Sequence, residues 1–503
     1  MQSTESLAGR IRKIFSLDPS RNAVEFQGQW FTWGQLSALM ARLDQSLSAQ
    51  SLGKGAAVGV LLRNRPGHFA AMMEVLISER CLVPINPLVG VSKLAEEIEK
   101  LRTPVVVADV QDWAIPEVRA AAERVGCMGL AIGGDGMISL AVVPGLDKVG
   151  DGPHHEAMPG VAINMLTSGT TGPAKRIKMY YKNLESGLLG ALFYESDAGG
   201  EPKLKDSKVI VLSPFVHMGG VWGSVSAVVA GRGIALLEKF SIGEWHRSVL
   251  LHKPKLVAMP PTAIRMILDA NIPKEDLATI IAVRSSTAPL DPELKDEFEA
   301  RYNIPILDTY GATEFNGGVA GWTLADHKKF GNTKRGSVGR AQPGCELRII
   351  DQQTLEPLPV GQVGLLEVRA PHVAKGEWVR TTDLAELDAD GFLYMRGRAD
   401  DAIIRGGFKV LPADVVDMFK RHPAVLDASV VGLPDPRLGA VPVAAVELRS
   451  GAQATPEELL AYARQNLTSY QVPIALKIVE ALPRTPSMKV AQPSVRELFQ
   501  EQM

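Results

Sequence analysis

The sequence predicts an α/β fold: a large N-terminal α/β domain of several subdomains, then a small C-terminal α+β unit. Three observations predict it. Apolar strand-like runs alternate with helical patterns before about residue 340, the βαβ rhythm of a mostly parallel sheet covered by helices. Beyond that point the texture changes to short strands joined by polar turns. The closing stretch, from about residue 400, mixes two longer strands with one strongly capped helix.

The elements follow in order. AAVGVLL (56–62) reads as a strand, HFAAMMEVLISE (68–79) as a helix and CLVPINP (81–87) as a strand. KLAEEIEKL (93–101) has helical spacing, and PVVVAD (104–109) is again a strand. VAINML (161–166) leads into a loop rich in hydroxyl groups and glycine, after which RIKMY (176–180) alternates like a strand. The next helix is expected near Asn183, a plausible N-cap. The strand rhythm recurs in SKVIVLSP (207–214), GIALLEK (233–239), KLVAMPP (255–261), TIIAVRSS (279–286) and IPILD (304–308). ELRIID (346–351), GLLEVRA (364–370) and FLYMRGR (392–398) are shorter strands, with an Asp390-Gly391 hairpin turn. A second turn follows at Gly406-Gly407. VLDASVVGL (425–433) and VPVAAVEL (441–448) flank the helix ATPEELLAYARQNL, where Thr455, Pro456 and Glu458 form a capping signature. The domain boundary is placed near Asp400, giving 1–399 and 400–503.

Bulk properties narrow the function. A chain of 503 residues with 46% hydrophobic content can bury a large core in two or more folding units. A formal net charge of -2 offers no global footprint for nucleic acid or acidic membrane, so any anion must be held locally. The first residues lack the apolar region of a secretory signal, and no apolar run approaches the roughly 20 residues of a membrane span. Cys81, Cys127 and Cys345 have neither metal-site spacing nor a disulfide framework. A soluble, cytoplasmic enzyme is the expectation.

The loop Thr167-Ser168-Gly169-Thr170-Thr171-Gly172, followed by Lys175, carries the first chemical signal. Its glycines free backbone N–H groups to point inward, its hydroxyls add short donors, and Lys175 adds charge: the needs of a polyphosphate. It is not a Walker loop, because Gly172 is followed by Pro-Ala-Lys and then a strand. Taken alone, it also reads as a surface turn.

The loop does not stand alone. DTYGATEF (308–315), RTTDLAELDADGFLYMRGRADDAIIRGGFKV (380–410) and LPRTPSMKV (482–490) follow in order. Together these motifs resemble the adenylate-forming (ANL) superfamily: acyl-CoA synthetases, aryl-CoA ligases, luciferases and adenylation domains. The likeness spans about residues 20 to 495. It implies a large N-terminal domain with a small mobile lid, and a two-step reaction. A carboxylate attacks the α-phosphate of ATP to give acyl-adenylate and pyrophosphate. The lid then rotates, and a thiol, usually that of CoA, displaces AMP.

The resemblance also implies roles. Thr313 meets a phosphate oxygen, and Glu314 is the oxygen ligand for Mg²⁺. Tyr310 lies against the adenine, with Asp308 and Gly311 beside it, and Ser286, Thr287, Ala288 and Pro289 form the adenine wall. Asp383 accepts the ribose hydroxyls, helped by Arg398. Asp400 is the hinge, and Gly406 and Gly407 line the thiol tunnel. Lys489 stabilises charge growing on the α-phosphate during adenylation. The chain departs from the family pattern at Arg176, Thr382 and Met488, where glycine is usual, and at Tyr181, where histidine is frequent.

SPFVHMGGVWG (213–223) resembles the segment lining the acid-substrate tunnel, which points to His217, Met218, Gly219, Gly220 and Trp222 as pocket residues. Amino-acid-activating relatives carry an aspartate where this chain has Val216, so a non-amino carboxylic acid is expected. Gly219-Gly220 is read as leaving room beside Trp222 for a bulky aromatic, alicyclic or polycyclic acid; a medium-chain fatty acid is the competing expectation. The leading function is an ATP-dependent acid–CoA ligase (AMP-forming). A ligase loading a carrier-protein phosphopantetheine and a catalytically silent nucleotide-binding relative are the alternatives. A homodimer is one assembly that the sequence leaves open.

Overall fold

The structure is a computed structural model describing residues 6–134, 137–166, 175–190, 192, 201–315, 317–370, 373, 376–485 and 488–500. It divides into two compact units. The first takes in most of the chain to Leu307 together with Gly311–Gly318; the second takes in Asp308–Tyr310 and the chain from Val319 onward.

The first unit holds a seven-stranded sheet in the order Leu140–Val142, Met128–Ile132, Val105–Asp109, Ala57–Leu61, Cys81–Ile85, Val161–Leu166, Arg176–Tyr180. The five inner strands are mutually parallel, and the two edge strands pair antiparallel. Ala57–Leu61, Cys81–Ile85 and Val105–Asp109 are buried at every position, which is why they read as continuous apolar runs rather than alternating ones. The helix Pro66–Ile77 is buried from Pro66 to Leu76, so its sequence is apolar on most of its faces, with His68 and Glu74 buried among the apolar residues. A second sheet runs Lys205–Val211, Arg232–Leu236, Asn22–Phe26, Gln29–Thr32, with parallel pairing except in the final hairpin. One hydrophobic cluster, including Phe69, Phe215 and Val228, serves both sheets. A parallel pair, Leu256–Met259 with Ala282–Ser285, has its own core around Trp245 and Phe298.

The connection order places Ala57–Leu61 between the strand that follows it and Val105–Asp109, which returns on its other side. The crevice outside the carboxyl ends of such strands is where open α/β sheets bind ligands. Loops leaving these strand ends are therefore positioned for function.

The second unit contains an antiparallel meander, Glu346–Ile350, Gly364–Arg369, Val379–Leu387, Leu393–Arg398. It also contains the closing α+β layer. There Val425–Asp435 and Gly439–Leu448 form a long hairpin, joined by Ile403–Arg405 and Phe408–Val410 at one side and by Ala475–Val479. Two apolar clusters line this sheet, one with the helices Pro412–Lys420 and Pro456–Asn466, the other with Gln492–Gln500. Thr455 and Glu458 form the reciprocal capping box that the sequence predicts. The sheet changes between Arg398 and Ile403, while the division by compactness falls near Val319.

Two local expectations are corrected. The helix after the phosphate loop begins at Tyr181, not near Asn183, because the strand Arg176–Tyr180 passes directly into it and Tyr181 N–H donates to Gly160 O. The strand of IPILD continues through Tyr310 and Gly311 to Ala312, so only Thr313–Phe315 forms the turn. Asp383 lies within the strand Val379–Leu387. Cys81 and Cys127 are free and buried, and burial pushes both thiols up to about 12. Among the described residues, no helix is long and apolar enough to cross a membrane.

Candidate active site

In the first unit, the strands Val161–Leu166 and Arg176–Tyr180 pair antiparallel, with Leu166 opposite Arg176. The strand–loop–strand frame expected from the sequence is present. Thr167, Ser168, Gly169, Thr170, Thr171 and Gly172 lie outside the described residues; Lys175 stands exposed at the foot of the loop. Arg176, a departure from the family pattern, has a structural occupation. Its guanidinium pairs with Glu97 at 2.6 Å and donates to Asn164 O at 2.6 Å and Pro84 O at 3.0 Å. It fastens the foot of the loop to the neighbouring strand and helix. Tyr181 likewise turns inward, donating to Arg80 O at 2.7 Å; burial holds its phenol well above the usual range.

Ser286, Thr287, Ala288 and Pro289 leave the carboxyl end of Ala282–Ser285. Thr287 has φ +85°, a left-handed conformation that a β-branched residue rarely adopts. Gly311 is required sterically: a Cβ there would lie 2.3 Å from Gly317 O. Thr313 opens the short turn Thr313–Phe315, and Glu314 is exposed on it. Among the described residues, no group of three or more His, Cys, Asp or Glu gathers for a metal. A single exposed carboxylate suits Mg²⁺ that arrives with nucleotide phosphates, since this ion is commonly held by one or two carboxylates plus phosphate oxygens.

His217 is the N-cap residue of the helix Met218–Val229, which carries Met218, Gly219, Gly220 and Trp222. The room expected at Gly220 is already filled. A Cβ there would come 2.2 Å from Pro214 O, so this glycine permits close packing of the helix start on its own loop. Gly219 is less constrained, with Ser213 Oγ 3.5 Å from a built Cβ. The indole of Trp222 lies against two further glycines: a Cβ at Gly187 would approach it to 2.8 Å and one at Gly317 to 3.4 Å. Val216 is buried.

In the second unit, two motifs far apart in sequence meet. Tyr310 O–H donates to Asp383 Oδ2 at 2.5 Å, and Asp383 N–H donates to Thr381 Oγ1 at 3.0 Å. Asp308 is buried, and its carboxylate accepts from Thr309 N–H at 2.9 Å. Arg398, opposite Asp383 in the strand pairing, makes a two-pronged contact with Asp400 at 2.9 and 2.7 Å. It also donates to Thr382 Oγ1 at 2.7 Å. The hydroxyl that replaces the usual glycine is thus a partner for Arg398. Hydrogen bonds with Asp400 hold the Arg398 guanidinium above its ordinary range, and the same contact holds the Asp400 carboxyl below its own. Burial pushes the neighbouring Asp401 carboxyl up. The two adjacent acids differ accordingly.

Gly406 and Gly407 form the turn between Ile403–Arg405 and Phe408–Val410, with φ of +57° and +89°. A Cβ at Gly407 would meet no atom within 4 Å among the described residues. Lys489 sits in a tight turn: Thr485 N–H donates to Lys489 O at 2.7 Å, and Met488 N–H donates to Thr485 O at 2.8 Å. Met488 takes the left-handed conformation, φ +64°, where the family pattern has glycine.

Sequence reading missed Asn64. It is 3% exposed, and its amide bonds to the backbone of residues 213, 215 and 237. No local pattern singles out one asparagine after a strand whose partners lie at least 149 residues away.

Residues 13–378 match the family described as AMP-binding enzyme, and residues 417–489 match its C-terminal domain. Among curated proteins, the chain is 27% identical to 4-coumarate–CoA ligase-like 9 of Oryza sativa subsp. japonica, covering 95% of this chain and 89% of that protein. It is 28% identical to the sulfoacetate–CoA ligase of Cupriavidus necator, covering 92% and 91%. Among solved structures it resembles ATP-bound MatB from Rhodopseudomonas palustris, with a TM-score of 0.82, 24% identity and coverage of 98% and 99%. The first family match alone spans well over half of the chain and includes both the phosphate loop and the Tyr310 motif, and on that ground the chain belongs to the AMP-binding enzyme family.

Proposed function

We propose that the protein is an ATP-dependent carboxylic acid–CoA ligase that forms AMP. The observation that carries this reading is the Tyr310–Asp383 hydrogen bond, which brings together two motifs of the adenylate-forming pattern. Lys175, Glu314, Asp383, Arg398 and Lys489 supply the charged groups that the two half-reactions need.

In the first step, an oxygen of the substrate carboxylate bonds to the α-phosphorus of ATP, and the bond to the β-phosphate bridge breaks, releasing pyrophosphate. The 167–172 loop and Lys175 hold the phosphates, while Asp383 accepts from the ribose hydroxyls. Glu314 would hold Mg²⁺, which neutralises phosphate charge when bound. Lys489 donates to the oxygens on which charge grows, the kind of contact worth roughly 10²–10³ in rate. In the second step, the thiol sulfur of CoA bonds to the acyl carbon and AMP leaves. Asp400 is the hinge between the steps, and Gly406-Gly407 leaves space for the pantetheine arm. The domain boundary at Asp400 belongs to this proposal.

The acid carries no amino group, because an ammonium beside buried Val216 would lack a partner at a cost of several kcal/mol. The apolar residues Val216, Met218 and Trp222 favour an aromatic, alicyclic or polycyclic body over a short chain. Gly220 is packed against Pro214 and offers no room, so Gly219 and Trp222 are the residues that would face that body.

The test is pyrophosphate release across a panel of carboxylic acids, with CoA, with carrier protein, or with neither. Turnover of bulky non-amino acids with CoA is expected. Turnover of short aliphatic acids alone would refute the pocket reading, and turnover with carrier protein alone would reassign the thiol. ATP binding without pyrophosphate release from any acid would make the chain a silent nucleotide-binding relative.

A further inference from the structure

The chain leaves the strand Ala57–Leu61 through Leu62-Arg63-Asn64-Arg65 and enters the helix Pro66–Ile77. Asn64 is buried there and serves as a three-way junction. Its Nδ2 donates to Ser213 O at 3.1 Å and to Leu237 O at 3.0 Å, while its Oδ1 accepts from Phe215 N–H at 2.9 Å. The amide orientation is fixed by these partners. Exchanging N and O would set the amine against a backbone donor and the oxygen against two carbonyls.

The junction rests on rigid ground. Arg63 forms an ion pair with Asp112, whose side chain is 1% exposed. Arg65 bridges Asp109 at 2.8 Å and Glu238 at 2.7 Å. Two guanidinium anchors therefore flank Asn64 on either side in sequence. Burial alone would raise the Asp109 carboxyl, but hydrogen bonds from His68, Gln111 N–H and Arg65 outweigh it and hold the group well below the usual carboxylate range. The anchor thus stays charged at any pH at which the enzyme would be assayed.

What Asn64 grips is the segment that enters the acid-pocket helix. Ser213 and Phe215 bracket Pro214. Pro214 O accepts from His217 N–H at 3.0 Å and lies so close to Gly220 that a side chain there could not fit. A shift at Pro214 is passed to His217 and to the start of the helix bearing Trp222. We infer that Asn64 is a positioning residue for the acid pocket, holding the 213–217 segment in the register that places His217, Met218 and Trp222 around the substrate. Asn64 itself is buried and acts through the backbone that it holds. This inference rests on the pocket reading given under the proposed function.

The test compares Asn64→Asp and Asn64→Ser with Trp222→Ala and the unaltered enzyme. Asp keeps the shape but sets a carboxylate oxygen against Ser213 O and Leu237 O; Ser keeps a hydroxyl able to make one of the three bonds. For each, kcat and KM are measured for ATP and for every acid in the panel, with a thermal melt to confirm folding. Asn64→Asp is expected to lower kcat/KM for the acid roughly ten- to a hundredfold, as small misplacements of a substrate do. It should also change the rank order of acids and leave the KM for ATP within about twofold. Asn64→Ser should lie between Asn64→Asp and the unaltered enzyme, and it carries the comparison if Asn64→Asp does not fold. Equal losses for all acids and for ATP, or unaltered acid kinetics in a folded variant, would overturn the inference. If Trp222→Ala also leaves the acid panel unmoved, the pocket reading has failed instead; if Trp222→Ala moves it and neither Asn64 variant does, only the role of Asn64 is lost.

Discussion

Asn64, Arg176 and Tyr181 show where reading residues in sequence stops. Each side chain is defined by partners far along the chain, Arg176 by Glu97 and Tyr181 by Arg80, and sequence order carries no information about those meetings. Asp383, Tyr310 and Lys489 stand out in the sequence because their motifs are local and appear in a fixed order. Thr287 stood out in sequence only as part of the adenine-wall motif; its strain appears once φ is known. Thr287→Gly should remove a left-handed cost of about 1–2 kcal/mol, partly offset by the extra freedom of glycine in the unfolded chain. A net gain of up to about 1 kcal/mol in urea denaturation is expected. Glu74 makes a second prediction at this scale. Burial, reinforced by Asp44, pushes its carboxyl up to about 7 despite Arg80 at 3.7 Å. The folded state therefore holds a proton that the unfolded state has lost between about pH 4.5 and pH 7. This contribution to stability is full below that window, falls as pH rises through it, and is flat above; the span is up to about 3 kcal/mol. Glu74→Gln should remove this part of the pH slope in denaturant melts from pH 4 to 8.

Among the elements, the parallel strands and the Thr455 capping box were readable because burial on both faces and cap chemistry each leave a local mark. The start of the helix at Tyr181 was not, since a backbone bond to Gly160 sets it and a side-chain cap does not. Gly219 and Gly220 show the same limit. Adjacent glycines look equivalent in sequence, yet one faces Pro214 O and the other would make only ordinary contact with Ser213. Gly220→Ala should destabilise the protein by about 1–3 kcal/mol through forced displacement of the Pro214 loop, whereas Gly219→Ala should be nearly neutral. Thermal melts of the two variants check this directly. Equal effects would mean that the helix start is not held against Pro214 as described.

At the scale of the whole molecule, the closing α+β unit and the short strands before it were foreseen from the changes of texture near residues 400 and 340. The proposed Asp400 boundary was placed from the texture of the chain and agrees with a motif of the family pattern, and its mechanical meaning depends on motion between two half-reactions. Arg398, Thr382 and Asp400 form one hydrogen-bonded group at that boundary. Lys489→Ala should slow adenylation by roughly 10²–10³ while sparing thioester formation from supplied acyl-adenylate. Gly407→Trp should do the reverse, because the proposed mechanism uses the Gly-Gly turn only after rotation. Separate assays of the two half-reactions check the pair; equal damage to both steps in both variants would contradict the rotating lid.

The central claim is that ATP is cleaved between the α- and β-phosphates by an acid carboxylate and that the acyl group ends on CoA. Incubation with α-phosphate-labelled ATP, an accepted acid and CoA tests it most directly. The account predicts labelled AMP and acyl-CoA in equal amounts, with no labelled ADP. Labelled ADP as the product, or labelled AMP formed equally well without any acid, would contradict it.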